Sequence, residues 1–186
     1  MVESLFVTLL PLGFLTLLFG GGEVFRRKSV DMDGNPPIDK AVFLSSKYLI
    51  LVVWAAMVAH SWGLNLFFIE VPTLSRWTAL VLWVLGFGLL FSGRLGLGDS
   101  FRIGSPKERT NLTVHGLFRF SRNPMYLGVY ATLLACLLYT LNPLLLAVAV
   151  YVVVVHHKIV LAEEKHLRGV FGERYTEYCG RVRRYL

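Results

Sequence analysis

The chain has 186 residues, of which 55% are hydrophobic, and a mean hydropathy of +0.58. Soluble globular domains use roughly 45–50% apolar residues, so an ordinary water-soluble domain is excluded. A formal charge of +7 would raise nucleic acid as a partner for a soluble protein; here the positive-inside bias of membrane proteins accounts for it, and no nucleic acid is expected.

The hydrophobic residues come in blocks, and the blocks predict helices. The first covers about residues 4–22, long enough for the ~20 residues that a bilayer requires. It lacks a basic leader segment and a small-residue cleavage site, so it reads as a membrane helix rather than a signal peptide. A polar loop follows (residues 23–40), broken by Asp-Gly, Asn-Pro and Pro-Pro. Its Arg26-Arg27-Lys28 run reads as an orientation signal at the headgroups. The second block is about 41–60, with Lys47 able to snorkel to the same interface. The third is about 76–91, and Trp62, Trp77 and Trp83 fit an interfacial aromatic belt.

After Ser92 the character changes. Residues 93–109 are rich in glycine and in charges of both signs, which argues against a continuous lipid-exposed helix. Gly96-Leu97-Gly98-Asp99 is not GxGxxG and follows no strand, so no dinucleotide fold is implied. A fourth block (about 125–141) turns at Asn142-Pro143 into a fifth (about 144–159). Residues 160–179 are charged, amphipathic and helical in pattern, with an interruption at Phe171-Gly172. The expected fold is an all-α integral membrane protein with about five transmembrane helices and a C-terminal amphipathic helix. Residues 1–93 would hold the first three helices and residues 94–186 the polar segment, the helical hairpin and the C-terminal helix, within one structural domain.

Five spans sort the charges cleanly. One side receives Arg26, Arg27, Lys28, Lys40, Lys47 and every lysine and arginine between 94–122 and 158–184; the other receives only Arg76. This places the N-terminus outside and the C-terminus in the cytoplasm.

The chemistry concentrates in residues 110–128, TNLTVHGLFRFSRNPMYLG. Pro124 suits the first turn of a helix and Asn123 its cap. Arg122 and Tyr126 flank that helix start, where free backbone donors can meet an anionic or polar ligand group. Glu163 and Glu164 follow one hairpin later. Neighbours on a helix point about 100° apart. One glutamate could thus face a site while the other pairs with a cation such as Arg168. His156 and His157 also point apart and no HExxH or CxxC pattern is present, which argues against a shared metal; packing is their default role, and a general base or substrate contact the alternative. No metal site is expected. Asn111-Leu112-Thr113 matches a glycosylation sequon on the side assigned to the cytoplasm and is read as chance.

These residues resemble a known group. HGLFRFSRNPMYLG, an apolar hairpin turning at Asn-Pro, then EEKHLRGVFGERYTEY and a basic end are similar to the membrane methyltransferase superfamily of isoprenylcysteine carboxyl methyltransferase and the phospholipid methyltransferases. LGDSFRI (residues 97–103) with NPMY resembles the phosphatidylethanolamine enzymes in particular. The likeness covers roughly the C-terminal half and implies an enzyme using S-adenosyl-L-methionine and releasing S-adenosyl-L-homocysteine. Its acceptor would be lipophilic or membrane-accessible, a carboxylate, thiol or amine at the cytoplasmic face of a prokaryotic inner membrane. The resemblance implies cofactor contacts from Ile103, Leu112, Thr113, His115, Gly116, Phe118, Asn123, Pro124, Met125, Tyr126, Glu163 and Glu164. Arg122, Tyr126 and His157 are the catalytic candidates. Asn123 stands where the pattern has His, and Ile159 where the carboxyl methyltransferase has a substrate-directed Arg. Lys158 or an adjacent histidine could supply the missing cation. Two other readings stay open: an NADPH-dependent reductase of sterol-reductase type, and a non-catalytic interaction protein on the same scaffold.

Overall fold

The computed structural model describes residues 1–27, 36–64, 70–98 and 112–186, with backbone alone over 20–27. It is helical, and among the described residues there is no strand. The described residues form six α-helices, in order α1 (Val2–Arg27), α2 (Lys40–Ser61), α3 (Thr73–Leu97), α4 (Pro124–Thr140), α5 (Pro143–Phe171) and α6 (Glu173–Arg181). A 3-10 turn, Gly116–Arg119, precedes α4. Helices α1, α2, α3 and α5 are long and apolar enough to cross a membrane; α4, with 17 residues, is shorter. The protein is therefore an all-α membrane protein.

Local chemistry sets the ends. Asp39 caps α2 by accepting from the amides of Ala41 (3.0 Å) and Val42 (3.1 Å). Asn142 does the same for α5 through Leu144 (2.9 Å) and Leu145 (3.3 Å), and Pro143 supplies the pre-set φ of the first turn. The tight α4–α5 hairpin expected at Asn-Pro is thus present. Gly172, at φ +55°, ends α5 and opens α6.

Helix α3 runs further than its composition suggests, through Gly93 and Gly96 to Gly98 at φ +48°. The glycines are there for packing. Gly93 lies under Met125 of α4, and a Cβ at Gly86 would stand 2.9 Å from the carbonyl of Gly128. The reverse contact, from Gly128 to the carbonyl of Gly86, would be 2.7 Å. Small residues let the α3 and α4 backbones meet, as in other membrane helix pairs. Gly93 and Arg94 are buried against the protein, while Leu95 beside them is exposed.

The core is an aromatic cluster between α1, α2 and α3. Trp54 and Trp83 each bring a ring centroid within 4.8 Å of Phe87. Trp83 is fully buried, its indole donating to the Val7 carbonyl at 3.2 Å. It is a core residue, and only Trp62 and Trp77 are exposed as an interfacial belt requires. Trp54 donates to Thr132 (3.0 Å), joining α2 to α4. At one end of the bundle, Glu3 accepts from Arg76 (2.8 and 2.7 Å) and from Tyr139 (2.6 Å), tying together α1, α3 and α4. The opposite end carries the polar cluster.

Candidate functional site

Helix α5 has 29 residues, about 43 Å at 1.5 Å per residue, against a hydrocarbon thickness of ~30 Å. Starting from Pro143, its last turns must leave the apolar layer near Glu163 and Glu164. The two carboxylates then diverge, as the helical offset requires.

Glu164 is 4% exposed and turns toward the C-terminal tail. It accepts from Arg122 Nη2 at 2.9 Å and from Arg184 Nε and Nη2 at 3.0 and 2.9 Å. Its partners are these two distant arginines, not Arg168. Arg122 also donates through Nη1 to the carbonyls of Cys179 and Val182, both at 3.3 Å, and through its amide to the Arg183 carbonyl at 3.0 Å. Hydrogen bonding to Glu164 raises the Arg184 guanidinium above its ordinary value. The arrangement clamps the segment before α4 and the C-terminal tail onto α5. Tyr178 of α6 completes it, donating to the Phe118 carbonyl at 2.6 Å. Burial pushes the Tyr178 phenol up to about 12.

Glu163 faces the other way. Tyr126 donates its hydroxyl to the two carboxylate oxygens, at 3.2 and 3.1 Å. Both line a cavity of about 370 Å³ that begins at Phe118, Arg122, Asn123 and Pro124 and continues between Phe14, Leu18, Ile50, Trp54 and Leu90. One end is polar; the rest is hydrocarbon.

Asn123 sits at the cap position of α4, but its side chain does not cap. Its Nδ2 donates to the Arg184 carbonyl at 3.0 Å. No side chain among the described residues caps this helix start, which lies at the cavity through Asn123 and Pro124. Pro124 fills the first turn as its sequence position predicts.

The structure gathers Phe118, Arg122, Asn123, Pro124, Met125, Tyr126 and Glu163 on this cavity. It puts other candidates elsewhere. Leu112 packs on Tyr175, Tyr178 and Val182 of the C-terminal cluster. Thr113, His115 and Gly116 belong to the approach to the 3-10 turn, with His115 and Gly116 exposed. Ile103 lies outside the described residues, as do Asp99 and the rest of the segment up to Asn111. His157 is exposed and shares a 2.9 Å hydrogen bond with Tyr185.

His156, not His157, lines the cavity. The signal for this was in the spacing, since His156 precedes Glu163 by seven residues, two turns on the same helix face. Lys47 lines it too, pointing inward over the Phe43 and Tyr126 rings rather than snorkelling outward. Ile159 is fully buried in an apolar cluster with Phe43 and Val155, and Lys158 is exposed.

A polar clamp that shapes one wall, a carboxylate and phenol on a second, and an apolar bay beyond them suit a reaction between a polar and a lipophilic molecule. The phospholipid methyltransferase family model matches residues 74–174, from the start of α3 into α6. This chain belongs to the phospholipid methyltransferase family. The match covers more than half of the chain and includes Arg122, Tyr126, Glu163 and Glu164. A phospholipid methyltransferase family member of this architecture is a membrane methyltransferase. No curated protein sequence matches the chain significantly.

Proposed function

We propose that the protein transfers a methyl group from S-adenosyl-L-methionine to a lipophilic acceptor at the cytoplasmic face of a prokaryotic inner membrane, with its N-terminus outside and its C-terminus inside. The observation that carries this reading is the Glu163–Tyr126 pair on a cavity that runs on between apolar helices.

The residues fit the cofactor's chemistry. Glu163 keeps acceptor capacity after its bond from Tyr126 and suits an ammonium or ribose hydroxyl. The uncapped start of α4 offers backbone donors to a carboxylate. Phe118 and Met125 give apolar surface beside both. When bound, the cofactor supplies a methyl group already activated on a sulfonium. The protein therefore has to position more than to activate, and orientation alone can supply much of the acceleration.

Three features of this chain serve that task. The Arg122–Glu164–Arg184 clamp fixes the backbone entering α4, so Tyr126 is held where it meets Glu163. Tyr126 in turn orients the Glu163 carboxylate. Leu18, Ile50, Trp54 and Leu90 exclude water from the deeper cavity and give an acceptor chain an apolar bed. The basic residues at the Glu163 end support a cytoplasmic location for that end.

The direct test is transfer of labelled methyl from S-adenosylmethionine by the purified protein to a membrane lipid extract. Label in the organic phase that is lost in Glu163→Gln supports the proposal; no transfer to any lipid fraction by folded protein contradicts it.

A further inference from the structure

Two polar side chains on the cavity take no part in the Glu163–Tyr126 hydrogen bond. His156 is 1% exposed and lines the cavity, and among the described residues neither Nδ1 nor Nε2 has a hydrogen-bond partner. Its ring stands edge-on to Tyr126, with centroids 5.2 Å apart at 83°. Buried polar groups are normally satisfied, so an imidazole with both nitrogens idle is a group waiting for a ligand.

Lys47 meets the same wall from α2. Its Nζ lies 5.0 Å from the Phe43 ring centroid and 5.7 Å from that of Tyr126. Glu163 is within electrostatic range but, among the described residues, Lys47 closes neither an ion pair nor a hydrogen bond. Aromatic faces attract an ammonium without using its three N–H donors. An ionisable side chain held inside a membrane bundle and turned toward a cavity marks a functional position. Lys47 also lies outside residues 74–174, so the family match does not reach it.

An unpaired ammonium and an imidazole facing one space are complementary to an anionic oxygen. Beyond them lie Phe14, Leu18, Ile50, Trp54 and Leu90, which suit a hydrocarbon chain. We propose that Lys47 and His156 form the headgroup end of the acceptor subsite, which takes a single-chain lipophile bearing an anionic oxo group, a carboxylate or a phosphate. Calling that lipophile the acceptor rests on the methyltransferase reading; the anion site itself does not.

The test is calorimetric titration of the detergent-solubilised protein with hexadecanoate, hexadecyl phosphate and 1-hexadecanol, with S-adenosylhomocysteine titrated into the same samples. At least one anion should bind about tenfold tighter than the alcohol, the scale of one charge-assisted hydrogen bond. Lys47→Met should abolish that preference and leave alcohol binding unchanged. Lys47→Arg should retain it and guards against reading misfolding as loss of a contact. His156→Phe should weaken anion binding alone. A preference for the carboxylate or for the phosphate names the headgroup, and either supports the subsite. Equal binding of anions and alcohol by the wild type overturns it, as does an anion preference that survives Lys47→Met. Failure of S-adenosylhomocysteine to bind would count against the cofactor reading while leaving the anion result legible.

Discussion

Tyr126 donates its hydroxyl to the carboxylate of Glu163 across the seam between α4 and α5, 3.2 and 3.1 Å from its two oxygens. The bond joins Tyr126 of the Pro-x-Tyr motif to Glu163 of the Glu-Glu motif on the cavity. It makes the cofactor reading testable one atom at a time. Glu163→Gln removes the charge and keeps the shape; affinity for S-adenosylhomocysteine should fall about tenfold or more, as for loss of a charge-assisted hydrogen bond. Tyr126→Phe leaves the carboxylate but frees its orientation, and the loss should be smaller, about two- to fivefold. Calorimetry on both variants gives the order.

Glu164 should behave differently from its neighbour. Its carboxylate is buried between Arg122 and Arg184. Glu164→Gln leaves two cations around a neutral group, and breaking a buried pair by removing one partner costs about 3–5 kcal/mol. Thermal unfolding in detergent should show a clear drop in midpoint for Glu164→Gln and little change for Glu163→Gln.

The α3–α4 crossing is a second point of failure. Gly128→Leu puts side-chain atoms into the Gly86 carbonyl and Leu90, and should destabilise by about 1–3 kcal/mol or prevent insertion. Gly88 has open space where a Cβ would go, so Gly88→Ala should leave the melting midpoint where it is. Equal behaviour of the two would contradict the close crossing.

The proposed orientation rests on the charge count and can be tested with reporters. A C-terminal green fluorescent protein fusion should fluoresce in bacterial cells, and an N-terminal alkaline phosphatase fusion should be active outside the membrane. Reversed reporters would move the Glu163 end to the outer face.

Much of this architecture is legible in the linear pattern. Apolar blocks locate the helices, Asn142-Pro143 locates the hairpin, and the 100° offset between Glu163 and Glu164 anticipates one carboxylate in the cavity and one in an ion pair. Other features depend on contacts between distant segments. Residues 93–109 read as too rich in glycine and charge for a continuous lipid-exposed helix, and the pattern does not show Met125 packed on Gly93. Trp83 reads as interfacial because indole hydropathy alone does not reveal the Val7 carbonyl beside it. Asn123 reads as a cap, but Arg184, 61 residues later, offers its side chain a better-placed carbonyl. Lys47 reads as a snorkelling residue because nothing local announces a cavity on its inner side.

The central claim is that Glu163 and Tyr126 hold S-adenosylmethionine. The most direct measurement is calorimetric titration of the purified wild-type protein with S-adenosylhomocysteine, with NADPH in parallel and Glu163→Gln as the control. The account predicts binding of S-adenosylhomocysteine, none of NADPH, and marked weakening in Glu163→Gln. Binding of NADPH alone, or S-adenosylhomocysteine affinity unchanged in Glu163→Gln, would contradict it.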